Sequence, residues 1–165
     1  MLKVPAAHLK SIGQITVNFA ELETILSFGI WNLIVIPDLK LGQTITAELS
    51  FKQKVHLFAS LYRRTFNDSL ASLEIESLLK KIWEAEKKRN VITHSYWGTQ
   101  NNRSAQTITR LKMTAKQKHG FTLQTQNMSA EELKRVAQFI DDVKNELMKF
   151  LTNRIFSYEH ESEKQ

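Results

Sequence analysis

Residues 73–97 read LEIESLLKKIWEAEKKRNVITHSYW. Leu73, Leu78, Leu79, Ile82 and Trp83 recur at helical spacing, so the stretch predicts an amphipathic helix running to about Tyr96. With Arg89 set at zero on a wheel of ~100° per residue, Leu78 and Ile82 fall within ~20° of it. Thr93 falls near ~40°, Glu86 near ~60°, Asn90 near ~100° and His94 near ~140°. Lys80, Lys81, Glu84, Lys87 and Lys88 occupy the opposite arc. The inward face therefore turns from apolar to polar after Trp83, with a guanidinium where a leucine is expected. Arg stays ionised and is costly to bury alone, so this end of the helix lines a cleft, meets a second subunit, or pairs with Glu86.

Outward from that helix, three more follow the same logic. Ile12, Ile15, Phe19, Leu22, Ile25, Leu26, Ile30, Leu33 and Ile34 mark a long helix from about Ala6 to Ile36, ended by Pro37. A loop through Asp38 and Gly42 leads to Ser50, which forms a capping box with Gln53 and opens a helix reaching about Phe66. Ser129 and Glu132 form a second capping box, followed by a helix through Leu133, Ile140, Leu147 and Ile155. Between the third and fourth helices, residues 105–114 and 121–126 alternate as a β-hairpin around a turn at Lys116 to Gly120. The expectation is an all-α fold: an antiparallel four-helix bundle with a β-hairpin insertion at about 105–126, in one domain over 1–157 with a polar tail over 158–165.

The 165 residues suffice for one domain, and only 5 Gly and 2 Pro argue against a turn-dense sandwich or a disordered chain. Zero Cys excludes disulfide frameworks, thiolate nucleophiles and Cys-based metal sites. His8, His56, His119 and His160 show no metal-ligand spacing, and no phosphate-binding Gly loop or nucleophile elbow is present, so neither a metal nor another cofactor is expected. The longest nearly apolar run, Phe28 to Ile36, is half a membrane span, and MLKVPAAHLK has no signal-peptide core. A cytoplasmic protein without a membrane partner is expected.

The formal charge of +6 is unevenly placed. From Lys87 to Ala130 there is no Asp or Glu, while Lys87, Lys88, Arg89, Arg103, Arg110, Lys112, Lys116 and Lys118 are all basic. The rest of the chain is slightly acidic, with 15 of the 23 basic residues facing all 17 acidic ones. One quarter of the sequence thus predicts a polyanion partner. Lys87, Lys88, Arg103, Arg110, Lys112, Lys116 and Lys118 are the candidates for phosphate contacts with RNA.

Arg89, Asn90 and His94, in the string KRNVITHSYW, resemble the motif of the HEPN superfamily: an Arg followed by a polar residue, then a His four to six residues on, near the end of a helix in a helical bundle. The resemblance implies a metal-independent endoribonuclease acting as a homodimer, with two motifs facing one another across a composite site. Within it Arg89 would stabilise the phosphorane, His94 would act as acid or base, and Asn90 would position either group. The residue chemistry agrees, because an imidazole titrating near pH ~6.5 serves both proton transfers and a guanidinium fork suits a phosphate. Tyr96 extends the match to that of HEPN toxins paired with a nucleotidyltransferase-type antitoxin, where such a Tyr is a modification site; it also suits an aromatic packed at an interface. A toxin or defence effector is the role implied. The alternative reading is a non-catalytic RNA-binding or protein-interaction bundle.

Overall fold

The computed structural model describes residues 4–34, 39–66, 69–98, 107–116 and 120–156. These residues form five α-helices and a small antiparallel sheet: α1 (Ala6–Ile34), α2 (Leu39–Ala47), α3 (Phe51–Thr65), α4 (Ser69–Thr93), β1 (Tyr96–Gly98), β2 (Thr107–Lys116), β3 (Gly120–Ser129) and α5 (Ala130–Leu151), followed by a π-helical turn, Thr152–Phe156. The protein is mostly helical. Among the described residues no helix is long and apolar enough to cross a membrane. The chain divides into two compact units, one of residues 1–19 and 85–140, the other of residues 20–84 and 141–165.

The first unit takes the start of α1, the end of α4, the sheet and the start of α5. The sheet has the order β1-β2-β3, with Trp97 opposite Arg110 and Arg110 opposite Gln126. Its inward side delivers Ile108 and Met128 to a core with Ile15, Phe19, Ile92, Leu133 and Ala137, all buried. Polar groups seal the edges of that core. Asn18 donates from Nδ2 to the carbonyl of Ala137 at 2.9 Å, and the buried His8 donates from Nε2 to the carbonyl of Met128 at 3.3 Å. Where β3 passes directly into α5, Ser129 and Glu132 close their capping box: the backbone N–H and hydroxyl of Ser129 both donate to Glu132 Oε2, at 2.7 and 2.8 Å. Those bonds hold the Glu132 carboxyl below its ordinary range.

The second unit is helical throughout. Ser50 caps α3 as its sequence predicts, with Gln53 bonding back to the Ser50 backbone. Leu22, Leu26, Ile30, Phe58, Tyr62, Ile75, Leu78, Ile82, Leu147 and Leu151 form the core, and the Tyr62 ring lies tilted against that of Phe150, centroids 5.1 Å apart. Gly29 lets α1 approach its neighbours closely, since a Cβ there would lie 2.9 Å from side-chain atoms of both Leu151 and Phe58. Lys144 bridges Asp141 at 2.6 Å and Glu21 at 2.9 Å, which raises its pKa above the usual lysine range. Helices α1, α2 and α3 line a cleft of about 390 Å³ whose walls include the 2.7 Å ion pair of Lys54 with Glu23.

Four differences separate the structure from the sequence reading. Residues 39–47, expected as loop, are helical although Gly42, Thr44, Ile45 and Thr46 are weak helix formers. Packing on Trp31 outweighs propensity there: its Nε1 donates to Thr46 Oγ1 at 3.0 Å, and Gly42 sits where a Cβ would meet the indole at 3.0 Å. Helix α4 stops at Thr93 rather than Tyr96, because residues 96–98 instead pair as a third strand with β2. The second hairpin strand reaches Ser129, three residues further than expected, so that β3 abuts the cap of α5; the expected start at Ala105 lies outside the described residues. Helix α5 ends at Leu151, and residues 152–156 continue it as the π-helical turn. The expected tail lies outside the described residues.

Candidate active site at the end of helix α4

The last turn of α4 belongs wholly to the first unit, and its carbonyls are met by side chains. A helix leaves its final carbonyls without intrahelical partners. Here the His94 N–H donates to the Asn90 carbonyl at 3.4 Å, and Ser95 Oγ donates to the Val91 carbonyl at 2.5 Å. Trp97 Nε1 donates to the Ile92 carbonyl at 3.0 Å. The backbone at His94 thus still follows the helix, which keeps Asn90 and His94 one turn apart on the same face.

Arg89 is half-buried, as its place on the apolar stripe predicts, and lies with its guanidinium carbon 4.0 Å from the centroid of the Phe19 ring. Such stacking is a cation–π contact, favourable by ~0.5–2 kcal/mol depending on desolvation. Its Nε is buried with no hydrogen-bond partner. Among the described residues Arg89 forms no ion pair, so the internal pairing with Glu86 that the sequence left open is not formed. Asn90 is half-buried and His94 exposed, and neither side chain has a hydrogen-bond partner among the described residues. Three polar side chains therefore stand in the last turns of one helix without a hydrogen-bond partner among the described residues.

The basic candidates separate. Lys87 is exposed, and Lys88 is half-buried with its Nζ 5.2 Å from the Phe139 ring centroid. Lys112 and Lys116 lie on β2. Arg103 and Lys118 lie outside the described residues. Arg110 is placed differently from the expected surface phosphate contact: it is 5 % exposed, with Nη1 donating to the Val91 carbonyl at 3.4 Å and to Ser95 Oγ at 3.1 Å, and Nη2 donating to Gln126 Oε1 at 3.1 Å. Period-two alternation carries the signal for this, since Arg110 shares a sheet face with the buried Ile108. Tyr96, expected on the helix, stands instead on β1 and is 61 % exposed.

No known protein family, curated protein or solved structure matches this chain.

Phe19 and Ser95 are the residues of this site that the motif alone does not name. Phe19 is legible as a core position of α1, yet nothing local in the sequence pairs it with Arg89. Among the described residues no group of three or more His, Asp or Glu side chains could hold a metal ion. What the arrangement offers chemically is a fixed cation, an amide and a solvent-facing imidazole on one helix end, in a quarter of the chain free of carboxylates. That set stabilises accumulating negative charge and moves protons.

Proposed function

We propose that the protein is an endoribonuclease of HEPN type that cleaves RNA without a metal ion. The observation that carries this reading is Arg89: a half-buried guanidinium, oriented by an aromatic ring and answered by no carboxylate among the described residues. A half-buried guanidinium with neither a carboxylate nor a neutral acceptor against it among the described residues is unfavourable in a merely structural role, whereas a phosphate would supply both counter-charge and acceptors. The exposed imidazole of His94 and the unbonded amide of Asn90 beside it support the same reading.

In the reaction, a base takes the proton of a ribose 2′-OH and the 2′-oxygen bonds to the adjacent phosphorus. The bond from phosphorus to the 5′-oxygen breaks, an acid protonates that oxygen, and the products are a 2′,3′-cyclic phosphate and a 5′-OH. His94 carries the proton transfers, with two copies of the chain supplying base and acid at a composite homodimer site. Arg89 stabilises the phosphorane. Lys87, Lys88, Arg103, Lys112, Lys116 and Lys118 hold the RNA backbone. The reading takes the helices as a HEPN-like antiparallel four-helix bundle carrying the hairpin as an insertion, and the cell biology as that of a toxin or defence effector. A nucleotidyltransferase-type antitoxin acting on the exposed Tyr96 is the regulatory partner it implies.

The test is cleavage of single-stranded RNA by the purified chain in EDTA. The wild type is expected to cut, leaving cyclic phosphate ends, and His94→Ala to lose activity by about 100-fold or more while unfolding at the same temperature. RNA retardation by both proteins with cleavage by neither would replace this reading with a non-catalytic RNA-binding bundle.

A further inference from the structure

We propose that Arg110 is a positioning residue for His94, and that the three-stranded sheet acts through it to fix the end of α4. The inference rests on the nuclease reading for its catalytic consequence, though not for its geometry. Arg110 occupies the middle strand, directly between Trp97 on β1 and Gln126 on β3. Its Nη1 reaches the Val91 carbonyl and Ser95 Oγ, which flank His94 on either side in the chain. Its Nη2 is held by Gln126 at 3.1 Å, so the guanidinium plane is fixed from the far strand.

Ser95 passes the contact on by donating to the Val91 carbonyl, and Trp97 adds a bond to the Ile92 carbonyl from the partner position in register with Arg110. The imidazole of His94 therefore projects from a segment bonded on both sides to a single buried guanidinium.

Electrostatics gives the same assignment. Arg110 is buried, forms no ion pair among the described residues and leaves its Nε without a partner. The negative charge it meets in α4 is the partial charge on the Val91 carbonyl near the helix C-terminus. A buried cation held by that carbonyl, a hydroxyl and an amide rather than by a carboxylate cannot swing out to RNA without giving up all three bonds. That separates Arg110 from the lysines of the hairpin, with which its charge groups it in the sequence.

The experiment compares wild type, Arg110→Gln and Arg110→Lys in the full chain, reading kcat and KM for RNA cleavage, RNA retardation, and amide hydrogen exchange. Arg110→Gln is expected to lower kcat about tenfold or more while KM and retardation stay within about twofold, and to speed exchange about tenfold at His94 and Ser95. Arg110→Lys, which keeps the charge but not the fork, is expected to recover part of kcat. A raised KM, weakened retardation and unchanged kcat in Arg110→Gln would make Arg110 a phosphate contact and overturn the proposal. Unchanged kinetics and unchanged exchange would overturn it equally. If the wild type cuts no RNA, the nuclease reading fails, and exchange alone decides: acceleration confined to residues 91–97 upholds the brace, and its absence refutes it. If Arg110→Gln does not fold, Ser95→Ala removes one acceptor of the same guanidinium and is expected to give the same kcat and exchange signature on a smaller scale.

Discussion

Arg89 lies face-on to Phe19, 4.0 Å from the ring centroid, and the ring does not satisfy the guanidinium's hydrogen-bonding capacity. A buried Nε without a partner costs ~1–3 kcal/mol, which offsets the ~0.5–2 kcal/mol gained from the aromatic face. Arg89→Met, which keeps the volume and the contact with Phe19, is expected to leave stability unchanged within about 1 kcal/mol or to raise it. The same substitution is expected to reduce RNA cleavage by about 100-fold or more, as loss of a charge-stabilising donor does elsewhere. Urea unfolding and initial cleavage rates measure the two effects, and a large loss of stability would return Arg89 to a structural role.

The two glycines of α1 make opposite predictions. At Gly13 nothing stands within 4 Å of an added Cβ, so Gly13→Ala is expected to stabilise the protein by about 0.5–1 kcal/mol through helix propensity. At Gly29 the same methyl meets Leu151 and Phe58 at 2.9 Å, and overpacking of ~1–3 kcal/mol outweighs that gain. Thermal unfolding of the two variants should move Tm in opposite directions.

Acid is expected to weaken the cap of α5. Because Ser129 depresses the folded pKa of Glu132, the stability this carboxylate contributes is present above its unfolded pKa, ~4.3, and is lost as pH falls through its lower folded value. Urea midpoints measured across that window should fall in the wild type and fall less in Glu132→Gln, which retains the acceptor but does not titrate. Ser129→Ala is expected to cost about 1 kcal/mol at neutral pH. Lys144 has the opposite sign: its raised pKa means a contribution present below its unfolded pKa, ~10.4, and lost as pH rises through the folded value.

Binding of single-stranded RNA is expected to weaken steeply with salt, since the acid-free quarter of the chain concentrates lysines whose phosphate contacts release counterions. Lys112→Gln and Lys116→Gln should each lower the slope of log affinity against log salt by about 0.7, evenly across RNA sequences. Retardation measured across a salt series checks this. Equal slopes in wild type and variants would remove these lysines from the RNA path.

Local features were the legible ones. Both capping boxes, Ser50 with Gln53 and Ser129 with Glu132, follow from spacing alone because the partners are three residues apart. The inward placement of Arg89 follows from helical period. Helix α2 was not legible, since its weak formers are held by Trp31, a contact made only after the chain folds back. The strand at Tyr96 and the burial of Arg110 are not legible locally for a related reason. Each depends on pairing between segments distant in sequence, and the side-chain bonds that end α4 come partly from β2. The string from Arg89 to His94 is local and stands in the sequence; the groups that bond to the end of its helix come from elsewhere in the chain.

The way α4 is finished also sets an order of assembly. Val91 is made well before Arg110, and Gln126 later still, so a nascent chain from which Arg89 and His94 have just emerged lacks the strands that brace them. Translation proceeds at ~5–20 residues per second, which puts a lag of seconds between the appearance of Arg89 and His94 and the closing of their frame. A chain truncated before the hairpin would carry the whole motif and be without the means to aim it.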